Sequence, residues 1–354
     1  MKQRYFWKKH GRAFLFSAVL AALTAFVLLD TFVLPHRIAS AEQTADAAAD
    51  TASLQSAAVE TETAAIGETQ DLSAEEPSED TTTDAAETAE TAETAETAEA
   101  AEAEETAEPV LTDSSYSSED VNITITTLRV NGTDVYVADI RIASADLLKT
   151  ALAQGVYGTN VTETTSTIAS ENDAIFAVNG DFYGANKRGY VIKNGVLYRD
   201  SVRQDDDTED LVIYADGSFG IADETEVSAQ ELLDSGVVQL FAFGPMLVEN
   251  GEIAVTQGAE VDQASSSNPR TAIGIIEPLH YIVVVSDGRT SESAGLTLYE
   301  LAQVMQQYGC TTAYNLDGGG SSTMVFAGEV LNNPTTNGKT IKERAVSDIV
   351  YISA

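Results

Sequence analysis

Four short stretches hold the residues whose types and spacing could do chemistry. In Asn315-Leu316-Asp317-Gly318-Gly319-Gly320-Ser321-Ser322, an amide and a carboxylate precede three glycines and two hydroxyls. Glycine loses more backbone freedom on folding than any other residue, so this run marks a place where bare backbone is needed. Read as a strand end, period two sets Asn315 and Asp317 on one face and Tyr314 and Leu316 on the other. Asn179-Gly180-Asp181-Phe182-Tyr183 repeats the amide–carboxylate spacing, Ser286-Asp287-Gly288-Arg289 adds an acid and a guanidinium, and Arg270 opens Arg-Thr-Ala-Ile-Gly. Polar groups at several strand ends point to one shared cleft. There, carboxylates would serve acid–base or nucleophilic work, guanidiniums an anion, and amides hydroxyl groups. Asp-Gly and Asn-Gly are also ordinary turn chemistry, but a hairpin needs one or two such residues, not three glycines and two serines. A phosphate-binding P-loop would require GxxxxGK[ST], and no lysine follows here.

Other chemistries are excluded by what the chain lacks. His280 is the one histidine after the N-terminal forty residues, and it lies in an apolar, strand-like run, which argues against histidine-rich zinc sites and a Ser-His-Asp triad. Cys310 is alone, so no internal disulfide forms; it reads as a small buried residue between a helix and a strand. From Glu119 onward there are 33 acidic against 13 basic residues, which makes nucleic acid and anionic lipid poor partners for this part. An anionic substrate would need a local basic pocket.

The elements that must position these residues are mostly strands. VNITITTLRV and DVYVADIRIA alternate and join through Asn131-Gly132, a hairpin signal. Further strands are expected at Ala174, Leu211 and Val237, in TAIGII and HYIVVV, and in the closing AVSDIVYI. In TLYELAQVMQQYG, Thr297 and Glu300 form a capping box, Leu298, Leu301, Ala302 and Met305 a buried stripe, and Gly309 a stop. Shorter helices are expected from Ser228 and over Ala145 to Ala153. The reading is a single α+β domain over 119–354, strand-rich, with a mixed sheet and a few packed helices.

Two segments precede it. In residues 1–40, Lys2, Arg4, Lys8, Lys9 and Arg12 lead an apolar run from Ala13 to Leu34 that is long enough to span a bilayer, with the basic end in the cytoplasm. The alternative is a signal peptide cleaved near Ala39-Ser40-Ala41, leaving the rest secreted. Residues 41–118 hold repeated AET units, 22 acidic residues and no Lys or Arg, the composition of a disordered, extended spacer. Either way the domain is expected outside the cytoplasm.

Taken in order, RTAIGI, SDGRTSESAGLTLYELAQVM, NLDGGGSSTMV and RAVSDIVYI resemble the phosphodiester glycosidase family, over roughly Ala174 to Ile352. The resemblance implies hydrolysis of the bond between a sugar's anomeric carbon and a phosphodiester, with exopolysaccharide or another cell-surface glycan as the setting. On that reading Asp317 is nucleophile or base, with Asp287 as partner. Arg270 and Arg344 bind phosphate, with Arg289 behind them. Asn179 and Asn315 orient hydroxyls, and Gly318, Gly319 and Gly320 admit sugar or phosphate to the backbone. Ser321 and Ser322 donate hydrogen bonds, and Asp181 is the weaker choice beside Asn179. The other reading of Arg344 is an ion pair with Asp348 or Glu343. A divalent cation, with calcium the best fit to Asp and Asn oxygens, is a further option. The rival functions are a non-catalytic polysaccharide-binding module and a metal-dependent phosphodiesterase cleaving P–O. Trp7, the one tryptophan, precedes the anchor and leaves the binding module without its usual platform.

Overall fold

A computed structural model describes residues 36–37, 108–204, 208–259 and 267–353. The expected anchor and the acidic spacer up to residue 107 lie outside the described residues, apart from His36–Arg37, which pairs with Gly158–Thr159. No helix among the described residues is long and apolar enough to cross a membrane.

The domain is built from two large sheets and smaller ones. A nine-stranded sheet runs in the order Glu252–Ile253, Met246–Glu249, Thr312–Leu316, Arg270–Glu277, His280–Ser286, Thr133–Ile142, Val121–Val130, Ser115–Ser117, Val110–Leu111. A five-stranded sheet runs Glu329–Val330, Met324–Phe326, Ala174–Asn179, Asp348–Ser353, Lys149–Leu152, and a three-stranded sheet runs Phe219–Asp223, Glu209–Tyr214, Val237–Phe241. The expected mixed sheet is corrected: every strand pairing among the described residues is antiparallel. The connections are mainly hairpins and excursions through other sheets, not the helical crossovers that parallel neighbours need.

The local rules explain the strands. Asn131 and Gly132 take φ of 48° and 78°, the left-handed pair of a two-residue turn, and this locks Val121–Val130 onto Thr133–Ile142 from Val130↔Thr133 outward. His280–Ser286 lacks apolar–polar alternation because both of its faces are covered. Tyr281, Val283 and Val285 enter the core between the sheets with Phe176, Val178, Val350 and Ile352 of the five-stranded sheet and Leu211, Ile213 and Phe241 of the three-stranded one. Ile282 and Val284 face the other way, against Leu298, Leu301 and Met305 of the helix Leu298–Gln307. That helix carries the expected capping box and is fixed by those side chains, each contributing about 1.5–3 kcal/mol by burial. Helix Thr165–Glu171 covers the outer face of the five-stranded sheet and Ala229–Asp234 that of the three-stranded one. The expected helix over Ala145 to Ala153 is corrected as well. A 3-10 turn occupies Ala145–Leu147, and Lys149–Leu152 is an edge strand paired with Asp348–Tyr351, whose partnership overrides the local helix preference.

Candidate functional site

Strand Thr312–Leu316 delivers Asp317 to a turn where the other sequence motifs meet. Asp317 is buried, and Nη2 of Arg344 lies 3.0 and 2.9 Å from its two carboxylate oxygens. The same nitrogen donates to the Gly318 carbonyl at 3.1 Å, and Nε donates to Ser321 Oγ at 2.8 Å. Ser321 thus anchors the guanidinium, whose side chain keeps 38% of its surface exposed. Arg344 pairs with Asp317, not with Asp348 or Glu343; Glu343 instead bonds Ser166. Burial pushes the Asp317 carboxyl up, and Arg344 pulls it partly back.

A second guanidinium stands beside the first. Arg289 donates from Nε to Asn268 Oδ1 at 3.0 Å and from Nη1 to the Thr336 carbonyl at 2.7 Å. Among the described residues it has no carboxylate partner, and burial together with the positive charge of Arg344 holds its pKa below the usual arginine value. Two neighbouring cations, with a carboxylate paired to Arg344 alone, make a spot that an anion would relieve.

The three glycines are explained by close approach. A Cβ on Gly318 would stand 3.0 Å from the Pro269 carbonyl, one on Gly319 would stand 2.9 Å from Arg289 Nη2, and one on Gly320 would overlap Thr336 Oγ1. Gly319 also takes φ of 61°. The bare backbone therefore admits protein, in the form of the loops bearing Pro269, Arg289 and Thr336, where the sequence reading placed sugar or phosphate.

The remaining expected residues frame this turn from inside. Asn179 is wholly buried: its amide donates to the Asp317 carbonyl at 2.6 Å, and its oxygen accepts from Thr271 Oγ1 at 2.8 Å and from the Thr323 amide at 3.3 Å. It suspends Asp317 from the neighbouring sheet, so both ends of its side chain are already engaged. Asp181 lies in a separate buried cluster with Lys193. Arg270 is 3% exposed and donates from Nε to the Leu296 carbonyl at 3.1 Å, with Cδ 4.0 Å from the place of a Gly318 Cβ. Its packing supports the turn from below. Both Asp287 oxygens accept from Asn333, the backbone amide at 2.7 Å and Nδ2 at 2.9 Å. Asp287 in turn helps hold the Tyr136 hydroxyl up at about 12, after burial itself. Asn315 donates to the Gly244 carbonyl at 2.7 Å, while its Oδ1 and the buried Ser322 hydroxyl have no hydrogen-bond partner among the described residues.

Asn268, Asn333 and Thr336 hold the site but were not singled out from sequence. Lone Asn and Thr residues in loops carry no periodic signal. Among the described residues no group of three or more His, Cys, Asp or Glu side chains is arranged to hold a metal ion, so the calcium option finds no cluster of that kind here.

Comparison with known proteins agrees with these motifs. The family described as phosphodiester glycosidase matches residues 172–353. The SPbeta prophage-derived uncharacterized protein YomE of Bacillus subtilis (strain 168) is 32% identical over 200 residues, covering 56% of this chain and 30% of that protein. N-acetylglucosamine-1-phosphodiester alpha-N-acetylglucosaminidase of Mus musculus is 33% identical over 123 residues, covering 31% of this chain and 24% of that one. The chain thus spans less than a third of the length of either relative. The zebrafish catalytic domain of the same name, auto-inhibited by its pro-peptide, shares the fold with a TM-score of 0.53 at 22% identity, over 66% of this chain and 83% of that chain.

Proposed function

The chain belongs to the phosphodiester glycosidase family, and on that premise we propose that its strand-rich domain hydrolyses the glycosidic C–O bond of a sugar-1-phosphodiester, releasing free sugar and a phosphomonoester. The observation that carries this reading is the juxtaposition of Arg289 and Arg344 beside the buried Asp317, inside a domain that is otherwise strongly acidic.

A phosphomonoester leaves more readily than a sugar alkoxide, so general-acid help matters less than in an ordinary glycosidase. The demands are to grip the phosphate and to support the oxocarbenium-like sugar. Arg344 and Arg289 meet the first, since a planar guanidinium pairs with phosphate oxygens and stays charged. Arg344, with over a third of its side chain exposed, gives the incoming anion a face to approach. Engaging phosphate draws Arg344 away from Asp317, leaving that carboxylate to act on the anomeric carbon, as nucleophile or as base for water. Asn179 and Arg270 position Asp317 from behind without touching substrate.

The N-terminal basic cluster and apolar run support an extracytoplasmic site of action, tethered to or released from the membrane, on a cell-surface or exopolysaccharide glycan. Turnover of a sugar-1-phosphodiester panel in water enriched in oxygen-18 tests the reaction. Label in the sugar is expected. Label in the phosphate would mean P–O cleavage, and binding without turnover would mean a glycan-binding module.

A further inference from the structure

A buried cluster near the Asp317 turn is not used by that mechanism. Lys193 Nζ stands 2.8 Å from Asp348 Oδ2 and 3.1 Å from Asp181 Oδ2, and each of the three side chains is at most 1% exposed. The Phe241 ring covers the nitrogen, with its centroid 4.1 Å away. Two carboxylates face one ammonium, so the cluster holds a surplus negative charge where water cannot reach it, an arrangement that is expensive as a set of ions.

The two carboxylates are not equivalent. Asp181 Oδ1 accepts the Tyr183 backbone N–H at 3.0 Å and Oδ2 accepts that of Ala242 at 3.2 Å, which fixes this side chain in place. Beyond the ion pair that Lys193 makes with Oδ2, neither Asp348 oxygen has a hydrogen-bond partner among the described residues. Burial pushes the Asp348 carboxyl up to about 7, against the pull of Lys193. Gly180 leaves room for it, since a Cβ there would stand 2.5 Å from Asp348 Oδ1. An amine, an acyl group with an unengaged oxygen and an anchored base therefore meet in a dry, aromatic-lined pocket.

We propose that Lys193 and Asp348 condense into an intramolecular amide, with Asp181 as the proton carrier. Burial alone would lower the Lys193 pKa, but its two carboxylates hold it up, so the amine starts protonated. It passes one proton to Asp348 across the 2.8 Å contact. The freed nitrogen lone pair attacks Asp348 Cγ, forming the N–C bond. Asp181 takes a second proton from nitrogen and delivers it to the departing Asp348 hydroxyl. The C–O bond breaks, water leaves, and Asp181 is again a carboxylate. No oxidant, cofactor or second protein is required. The bond ties the hairpin strand Val191–Lys193 to the inner strand Asp348–Ser353, a staple that a chain with one cysteine cannot make from sulfur.

Intact-mass measurement of the purified full chain, denatured and reduced, tests this. The expected mass is lower than that of the sequence by one water, with a branched proteolytic fragment joining the Lys193 and Asp348 peptides. Lys193→Arg should restore the full sequence mass. Asp348→Asn should yield the same branched fragment by losing ammonia in place of water. Full mass in the wild-type protein overturns the proposal. So does a water loss mapped to a succinimide at Asp216-Gly217, Asp287-Gly288 or Asp317-Gly318, or to a Lys193–Asp181 linkage.

Discussion

Asp317→Asn separates chemistry from stability at this site. The substitution keeps the shape of the side chain and removes the charge that Arg344 Nη2 contacts at 3.0 and 2.9 Å. Losing a charge-assisted contact of that kind costs about 1.5–3 kcal/mol when both partners are buried. Here Arg344 is 38% exposed and rehydrates, so the loss is discounted. The buried carboxyl also no longer has to ionise against desolvation. The two terms oppose, and stability should change by about 1 kcal/mol or less. The rate should respond far more. Loss of the base or nucleophile costs on the order of 100- to 10,000-fold in kcat, or about 3–5 kcal/mol of barrier at 1.36 kcal/mol per tenfold. KM should fall, because Arg344 is released from its internal carboxylate to the substrate phosphate. The assay is sugar release from a sugar-1-phosphodiester, read beside a thermal melt. In the wild type, the acid limb of kcat/KM should lie above the ordinary carboxylate value of about 3.9, because Asp317 of the free enzyme must ionise against burial. Activity within tenfold of wild type, or an acid limb at the ordinary value, would refute the assignment.

Three further outcomes are expected. Arg344→Lys keeps the charge but loses the fork that spans Ser321, Asp317 and the Gly318 carbonyl; kcat/KM should drop at least about tenfold by steady-state kinetics, since a point charge replaces a planar pair. Gly320→Ala drives a methyl group into Thr336, whose Cβ lies 3.1 Å from the new atom, and should cost about 1–3 kcal/mol in urea unfolding, partly restored by Thr336→Ala. Asp210, buried beside Arg203 and Glu224, has its carboxyl pushed well up, first by burial. A raised pKa means a proton held more tightly in the native state, so this contribution is full below the unfolded value of about 3.9 and is lost as pH rises through the folded one. Asp210→Asn should therefore flatten the fall of the urea midpoint with rising pH, and an unchanged slope would show that Asp210 stays ionised.

The motifs and most of the strands were legible because they rest on local rules. The Asn131-Gly132 turn, the Thr297–Glu300 capping box and the alternation of Val121–Val130 each follow from neighbours within a few residues. That Asp317 and Arg289 lie at strand ends was legible from their motifs, whereas Arg344 was named only through the family resemblance. What each residue does at the site was not legible. Asn179 looks like a hydroxyl-binding amide until its partners are known, and those partners are Asp317, Thr271 and Thr323, far away in sequence. The glycines look like a ligand floor because sequence does not say which loop will press on them. Lys193 was not singled out from sequence, because only the packing of Asp348–Ser353 beside Ala174–Asn179 encloses it. Lys149–Leu152 reads as helix because its strand partner comes two hundred residues later.

The place of Asp348–Ser353 between Ala174–Asn179 and Lys149–Leu152 constrains how the protein is made. Two strands specified early in translation stay without their shared neighbour until the ribosome has passed residue 353. The five-stranded sheet therefore closes only once this late strand is available. A polypeptide interrupted before that point still has the strands of the nine-stranded sheet that bear Arg270 and lead into Asp317, but it lacks the strand that joins Ala174–Asn179 to Lys149–Leu152.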